Sequence, residues 1–166
     1  MIIKKQIITF KFYKLLYLLN MTKKDTLCYT KSTYLKSIET SLAIVGIRND
    51  NLIEIKFKLD DYDVELSDQI EIHHAISHLT NKGEFLFKVI IIPGLYGSFT
   101  KEAREMEMFG KDTFKNLISL AIVVHGLHQR ILANFFIKIK NSTPNFSSKI
   151  FDSEQQGIEW SLKQTK

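Results

Sequence analysis

The chain has 166 residues, of which 45% are hydrophobic and 25% are charged, as in an ordinary globular domain with one hydrophobic core. The net charge of +5 comes from the N-terminal end, because residues 1–40 contain 8 Lys and Arg against 2 Asp and Glu, and the rest of the chain contains 15 against 16. A nearly neutral domain lacks the clustered basic side chains that neutralise phosphates, so we expect no nucleic-acid binding.

The first 20 residues combine early lysines with an apolar run that Lys11 and Lys14 interrupt. Because no small-residue cleavage site follows and a membrane span needs about 20 largely apolar residues, we expect neither a secretion signal nor a transmembrane segment. Translation can start at Met1 or at Met21, and in the second case residues 1–20 are a mis-called extension. The alternative is a basic helix that lies on anionic lipid.

Residues 21–40 are polar and without clear period, so residues 1–40 are interpreted as an N-terminal extension and residues 41–164 as the domain. Cys28 is the single cysteine. It therefore has no partner for an intramolecular disulfide, and it has no companions for a zinc site. This cysteine usage is typical of a reducing compartment, and we expect a cytoplasmic protein.

The domain begins with a predicted β-hairpin. Leu42–Arg48 and Leu52–Leu59 flank the turn Asn49–Asn51, and the second strand alternates apolar with charged residues, which indicates one solvated face. Ser67 is the predicted N-cap of a helix that ends near Asn81. The apolar residues of this helix fall on one stripe, namely Ile72, Ala75, Ile76 and Leu79.

Two nearly continuous apolar runs follow, Phe85–Ile92 and Leu117–Val124. Such runs are typical of central parallel strands that are covered on both faces. The remaining predicted elements are helices Phe99–Phe109 and Leu127–Ile139, strand Lys149–Phe151 and helix Ser153–Gln164. The order ββαβαβαβα predicts an α/β fold in which helices flank a mostly parallel mixed sheet.

The C-terminal half carries a family resemblance. Residues 120–139, LAIVVHGLHQRILANFFIKI, and residues 149–160, KIFDSEQQGIEW, resemble small stand-alone bacterial proteins of the STAS/SpoIIAA-like type, and the element order over residues 41–164 agrees. The resemblance implies a non-enzymatic regulatory or protein-interaction module, since STAS domains include anti-sigma factor antagonists, transporter tails and sensors that contact lipids or nucleotides. The resemblance does not imply catalysis or a cofactor.

In the antagonists of that family, a Ser or Thr in an Asp-Ser/Thr-Gly-like motif after the third strand is phosphorylated to control partner binding. The corresponding stretch here, residues 93–100, lacks the Asp and the spacing. Ser98 and Thr100 are the nearest positional matches for a phospho-switch or a partner surface. The alternative is that one of these hydroxyls is a helix N-cap, with Glu102 in the first turn.

The carboxyl ends of the central strands are the expected ligand site of an open α/β sheet. Glycines there allow backbone N–H groups to approach an anion, and an arginine can pair with it. A small-molecule or lipid sensor is therefore our second hypothesis, although glycines in loops more often serve chain reversal. The candidate ligand-binding residues are Gly94, Tyr96, Gly97, His125, His128 and Arg130.

Histidines raise two further possibilities. Glu71, His74 and His78 share a helix face, but residue 75 is Ala where a zinc-protease HExxH motif requires Glu, so no metal site is expected. His125 and His128 are the candidates for an uncharacterised hydrolase, our third hypothesis. No Ser or Cys nucleophile accompanies them at motif level, and we expect the protein not to be an enzyme.

The predicted helix Leu127–Ile139 is apolar over a wide arc, which requires a second burial surface. A neighbouring helix or the helix that carries Trp160 is the expected cover. A protein partner, a homodimer or a lipid are the alternatives. The arc consists of Ile131, Leu132, Phe135, Phe136 and Ile139.

Overall fold

A computed structural model describes residues 34–106, 108, 109, 113–127, 129–131, 133 and 145–166. The strands are β1 Lys36–Glu39, β2 Ala43–Ile47, β3 Leu52–Phe57, β4 Asp63–Val64, β5 Phe87–Ile92, β6 Ser98–Phe99, β7 Leu117–Val123 and β8 Ser147–Phe151. The helices are α1 Leu66–Leu79, α2 Lys101–Glu105 and α3 Glu154–Leu162. Residues 127, 129–131 and 133 are also helical and are called the Gln129 segment below.

Six of the described strands form one mixed sheet in the order β1-β2-β3-β5-β7-β8. The strands β1, β2 and β3 pair antiparallel, whereas β3, β5, β7 and β8 pair parallel. Parallel neighbours need crossover connections, and helices in these connections cover the sheet. The predicted α/β fold with a mostly parallel mixed sheet is confirmed.

The side chains of the central strands alternate between two apolar cores. Ile53 of β3 and Val89 of β5 belong to the larger core together with the α1 stripe, and Ile90 of β5 belongs to the smaller core, against which Ile158 of α3 packs. Both faces of β5 and β7 are thus covered, as their continuous apolar sequences predict.

Helix α1 has its N-cap two residues before the predicted Ser67. Glu65 is its N-cap residue, and the Glu65 N–H donates to Oδ2 of Asp68 at 2.8 Å, so Ser67 lies inside the helix rather than at its start. The predicted stripe of α1 is buried. After the helix, Asn81, Lys82 and Gly83 have positive φ angles of 51°, 58° and 75°, which reverse the chain toward β5.

Three short strands were not predicted. β1 lies within residues 1–40, the stretch interpreted as an extension, and it pairs with β2. β4 and β6 form a separate parallel pair. Because Ser98–Phe99 is a strand, α2 begins at Lys101, and it ends at Glu105, well before the predicted end at Phe109.

Several predictions fall on parts of the chain that the structure does not describe. Residues 1–33 of the predicted extension, including the alternative start at Met21, lie outside the described residues. The same holds for the C-terminal half of the predicted helix Leu127–Ile139 and for four members of its apolar arc. The fifth member, Ile131, is exposed.

Candidate functional site

A cavity of about 210 Å³ lies on the α1 face of the sheet. Its floor is formed by side chains near the carboxyl ends of β3, β5 and β7, including Phe57, Ile91 and Ile122. α1, α2 and the Gln129 segment contribute the walls. The cavity thus occupies the end of the sheet at which open α/β domains bind ligands.

One side of the cavity is closed by residues 97–106, which we call the 97–106 segment. Gly97, Phe99, Ala103 and Met106 of this segment all line the cavity. The segment is held by backbone hydrogen bonds to the β4 region, since the Ser98 N–H donates to Tyr62 O at 2.9 Å and the Thr100 N–H donates to Val64 O at 3.0 Å. The short β4–β6 pair therefore positions one cavity wall.

Tyr62 brings a phenol group to the cavity. Its ring stacks on Phe57 with centroids 4.7 Å apart, and its hydroxyl oxygen accepts from the Gly94 N–H at 3.1 Å. A Cβ added at Gly97 would overlap the ring, so glycine is what permits this packing. Burial raises the pKa of the Tyr62 phenol to about 12, and the group keeps its proton at physiological pH.

Gln69 of α1 is the second polar group in the cavity wall. The residue is only 4% exposed, and its Oε1 has no hydrogen-bond partner among the described residues. A buried amide oxygen without a hydrogen-bond partner is uncommon, because its desolvation costs about 1–3 kcal/mol. In a cavity at a ligand-binding position, such a group is a candidate contact for a bound molecule.

Gln129 joins the two loops that the sequence places at the strand ends. Its Nε2 donates to Gly94 O at 2.6 Å and to Leu95 O at 3.0 Å. Its Oε1 accepts from the His125 N–H at 2.7 Å. The loop after β5 and the loop after β7 therefore lie side by side, and the side-chain amide of Gln129 connects them by hydrogen bonds.

The candidate ligand-binding residues do not form one cluster. Gly97 lines the cavity, whereas Gly94 packs against the Leu59 carbonyl and Tyr96 is 61% exposed. His125 is exposed, and the Arg130 guanidinium pairs with the Asp152 carboxylate. His128 lies outside the described residues.

Sequence reasoning missed Gln69 and Tyr62. Gln69 carried a usable signal, because it lies three residues before Ile72 on the apolar stripe of α1, where a polar side chain is unexpected. No sequence pattern pointed to Tyr62, because its contact with Gly97 exists only in the folded chain.

The two hydroxyl candidates have different surroundings. The Ser98 hydroxyl donates to the Asp63 carboxylate across the β4–β6 pair. Thr100 is the N-cap of α2, and its Oγ1 accepts from the Ala103 N–H at 3.2 Å. Thr100 thus has the capping geometry, and phosphorylation at either position stays a prediction.

Two titratable residues of α1, His73 and Glu71, have shifted pKa values. Burial, with a smaller contribution from His74, lowers the pKa of His73, whose ring lies 4.9 Å from the ring of Phe114. Glu71 accepts hydrogen bonds from Ser41, which lower the pKa of its carboxyl. Over the described part of the chain, no group of three or more His, Cys, Asp or Glu residues could hold a metal ion.

A solved structure shares this architecture. It is the crystal structure of an uncharacterised protein of the DUF3478 family, with a SpoIIAA-like fold, from Shewanella loihica PV-4. The two chains are 15% identical with a TM-score of 0.51, and the match covers 75% of this chain and 98% of that one. The predicted SpoIIAA-like fold is therefore confirmed.

No curated protein matches the chain. None of the helices within the described ranges has the length and apolarity required to cross a lipid bilayer. The model of one family, described as a domain of unknown function, DUF7793, matches residues 46–166. Because this match covers well over half of the chain and includes every described residue of the cavity wall, the chain belongs to the DUF7793 family.

Proposed function

We propose that this domain is a non-enzymatic regulatory module that binds a small molecule in the cavity and presents the 97–106 segment to a protein partner. The observation that supports the proposal most is the buried Oε1 of Gln69, which has no hydrogen-bond partner among the described residues and belongs to a side chain that lines an apolar cavity at the strand ends. Ligand pockets are typically apolar with a few polar groups that fix orientation.

The 97–106 segment connects the ligand cavity with the proposed partner surface. Its inner side lines the cavity through Phe99 and Met106, while Ser98 is exposed and Tyr96, just before it, is exposed as well. A ligand that fills the cavity contacts the inner side, so it favours one arrangement of the outer side. The regulatory and the sensor hypotheses are thereby joined in one mechanism.

The hydrolase hypothesis has less support. Of the two candidate histidines, His125 is exposed, and the hydrogen bonds between described residues give its imidazole no hydroxyl or thiol partner. A general base must lie within hydrogen-bond reach of the group that it activates. Our proposal is therefore a binding function without catalysis.

The test of ligand binding is native mass spectrometry of the protein purified from its host, followed by analysis of the extracted compound. Ala133 lines the cavity at 8% exposure and Ala103 at 0%, so Ala133→Phe and Ala103→Phe would each fill part of the space. We expect a bound compound in the wild type and less of it in whichever variant keeps its circular dichroism spectrum. Two negative results together would contradict the proposal. They are a wild-type protein that carries no bound compound in native mass spectrometry, and a melting temperature that no compound of a small-molecule screening library shifts.

The test of partner binding is photo-crosslinking from a reactive group at Tyr96 in cells of the host. Leu162, on α3 and 40% exposed, is the matched control position. We expect a crosslinked protein from position 96 that is absent from position 162. Equal crosslinking at both positions would argue against a partner surface at the 97–106 segment.

A further inference from the structure

We infer that the cavity selects an uncharged, mostly apolar molecule of small size, whose single hydrogen-bonding group contacts the Gln69 amide and the Tyr62 hydroxyl. The inference rests on the proposed function and names the chemical class of its ligand. Three properties support it, namely the absence of charged side chains among the described residues of the cavity wall, the hydrogen-bonding capacity of its polar groups and the cavity volume.

The described residues that line the cavity include no Asp, Glu, Lys, Arg or His. An ionised ligand would lose its hydration there without gaining an oppositely charged partner, which is strongly unfavourable. Arg130, which the sequence suggested as an anion partner, pairs with Asp152 and does not line the cavity. The wall therefore favours a neutral molecule over a carboxylate or a phosphate.

The polar groups of the wall have hydrogen-bonding capacity left. The Tyr62 oxygen already accepts from Gly94, and its own proton makes no hydrogen bond to another described residue. The Gln69 Oε1 accepts none, and a carboxamide both donates and accepts. Gln129 also lines the cavity, but its amide makes three hydrogen bonds to the loops. A ligand hydroxyl, which donates and accepts, would complement Gln69 and Tyr62 together.

The volume limits the size of the ligand part that the cavity can enclose. A protein cavity of about 150 Å³ is known to hold one benzene molecule. By proportion, the 210 Å³ of this cavity accommodates a molecule of roughly 8–10 non-hydrogen atoms. A medium-chain alcohol has this size, whereas the acyl chains of a membrane lipid exceed it.

The test compares 1-octanol with octanoate by isothermal titration calorimetry at pH 7. Both probes have the same carbon number, but only octanoate is charged. We expect 1-octanol to bind and octanoate to bind at least tenfold more weakly. Octanoate that binds as tightly as 1-octanol would overturn the inference, and so would a wild-type protein that binds a larger or charged compound but not 1-octanol.

Gln69→Met tests the polar contact. The variant keeps the length of the side chain and removes the amide, so we expect 1-octanol binding to weaken roughly three- to tenfold, the usual effect of one lost hydrogen bond. Gln156→Met, at an exposed position of α3, is the matched control and should bind like the wild type. Equal affinity of Gln69→Met and wild type would overturn the assignment of this contact.

Nuclear magnetic resonance provides a second readout that does not depend on affinity. The side-chain amide signal of Gln69 can be identified as the one missing from Gln69→Met, and 1-octanol should shift it. A titration that shifts cavity methyl signals but not this amide overturns the inferred contact while leaving the proposed function intact. Failure of every small molecule to bind would instead reject the proposed function itself.

Discussion

The most direct consequence of the buried Gln69 Oε1 without a hydrogen-bond partner concerns stability. In the ligand-free protein, a buried polar group without a partner is destabilising by about 1–3 kcal/mol. Gln69→Met removes this group, keeps an unbranched side chain and leaves helix propensity almost unchanged, since Gln and Met rank together. We therefore expect the free energy of unfolding of the ligand-free variant to rise by about 1–2 kcal/mol, or the melting temperature by roughly 3–6 °C.

The measurement is urea unfolding followed by circular dichroism, after unfolding and refolding to remove any ligand that copurifies. Gln156→Met controls for the chemistry of the substitution on a helix, and its stability should stay within about 0.5 kcal/mol of the wild type. If Gln69→Met instead loses 1 kcal/mol or more, its amide makes a hydrogen bond in the free protein and the reasoning is refuted.

Three further predictions concern the wall that contains the 97–106 segment. A carboxylate introduced by Ser98→Asp would face Asp63, and this repulsion should speed hydrogen exchange of the backbone amides at positions 98 and 100, whereas Ser98→Ala should change the exchange rates little. Gly97→Ala would force a methyl group into the Tyr62 ring, so urea unfolding should show a loss of about 1–3 kcal/mol, and an unchanged midpoint would speak against this packing. Burial raises the pKa of Tyr62 from 10.0 to about 12, so the protein should lose stability as the pH rises from 10 toward 12. Tyr62→Phe should lose less over that range, and a decline identical to that of the wild type would contradict the assignment.

The central strands of the sheet were predictable because the sequence of each strand alone indicates how the strand is buried. The apolar runs of β5 and β7 reflect burial on both faces, which is a property of the strand itself. β1, with the sequence KSIE, is polar and mostly exposed, and β4 and β6 have only two residues each. These short strands exist because a neighbouring strand pairs with them, and no pattern within their own residues reports that pairing.

The candidate site was predictable in position but not in composition. Ligand residues were expected at the carboxyl ends of the strands, and the cavity lies there. The expected residues, however, were those of the loops, of which only Gly97 among the described candidates reaches the cavity wall. Arg130 pairs elsewhere because Asp152, just after β8, is close to it in the fold, a neighbour that is distant in sequence.

The amide of Gln129 has a consequence for how this family diverges. Its Nε2 donates to two backbone carbonyls and its Oε1 accepts from a backbone N–H. A glutamate at this position would place a carboxylate against the two carbonyl oxygens, so we expect this substitution to destabilise the two loops. Apolar wall residues such as Ile91 and Ile122 have no such constraint, because hydrophobic side chains can replace one another when the core is repacked around them. Relatives that have adapted to different ligands should therefore vary in the size of these wall residues and retain an amide at the position of Gln129.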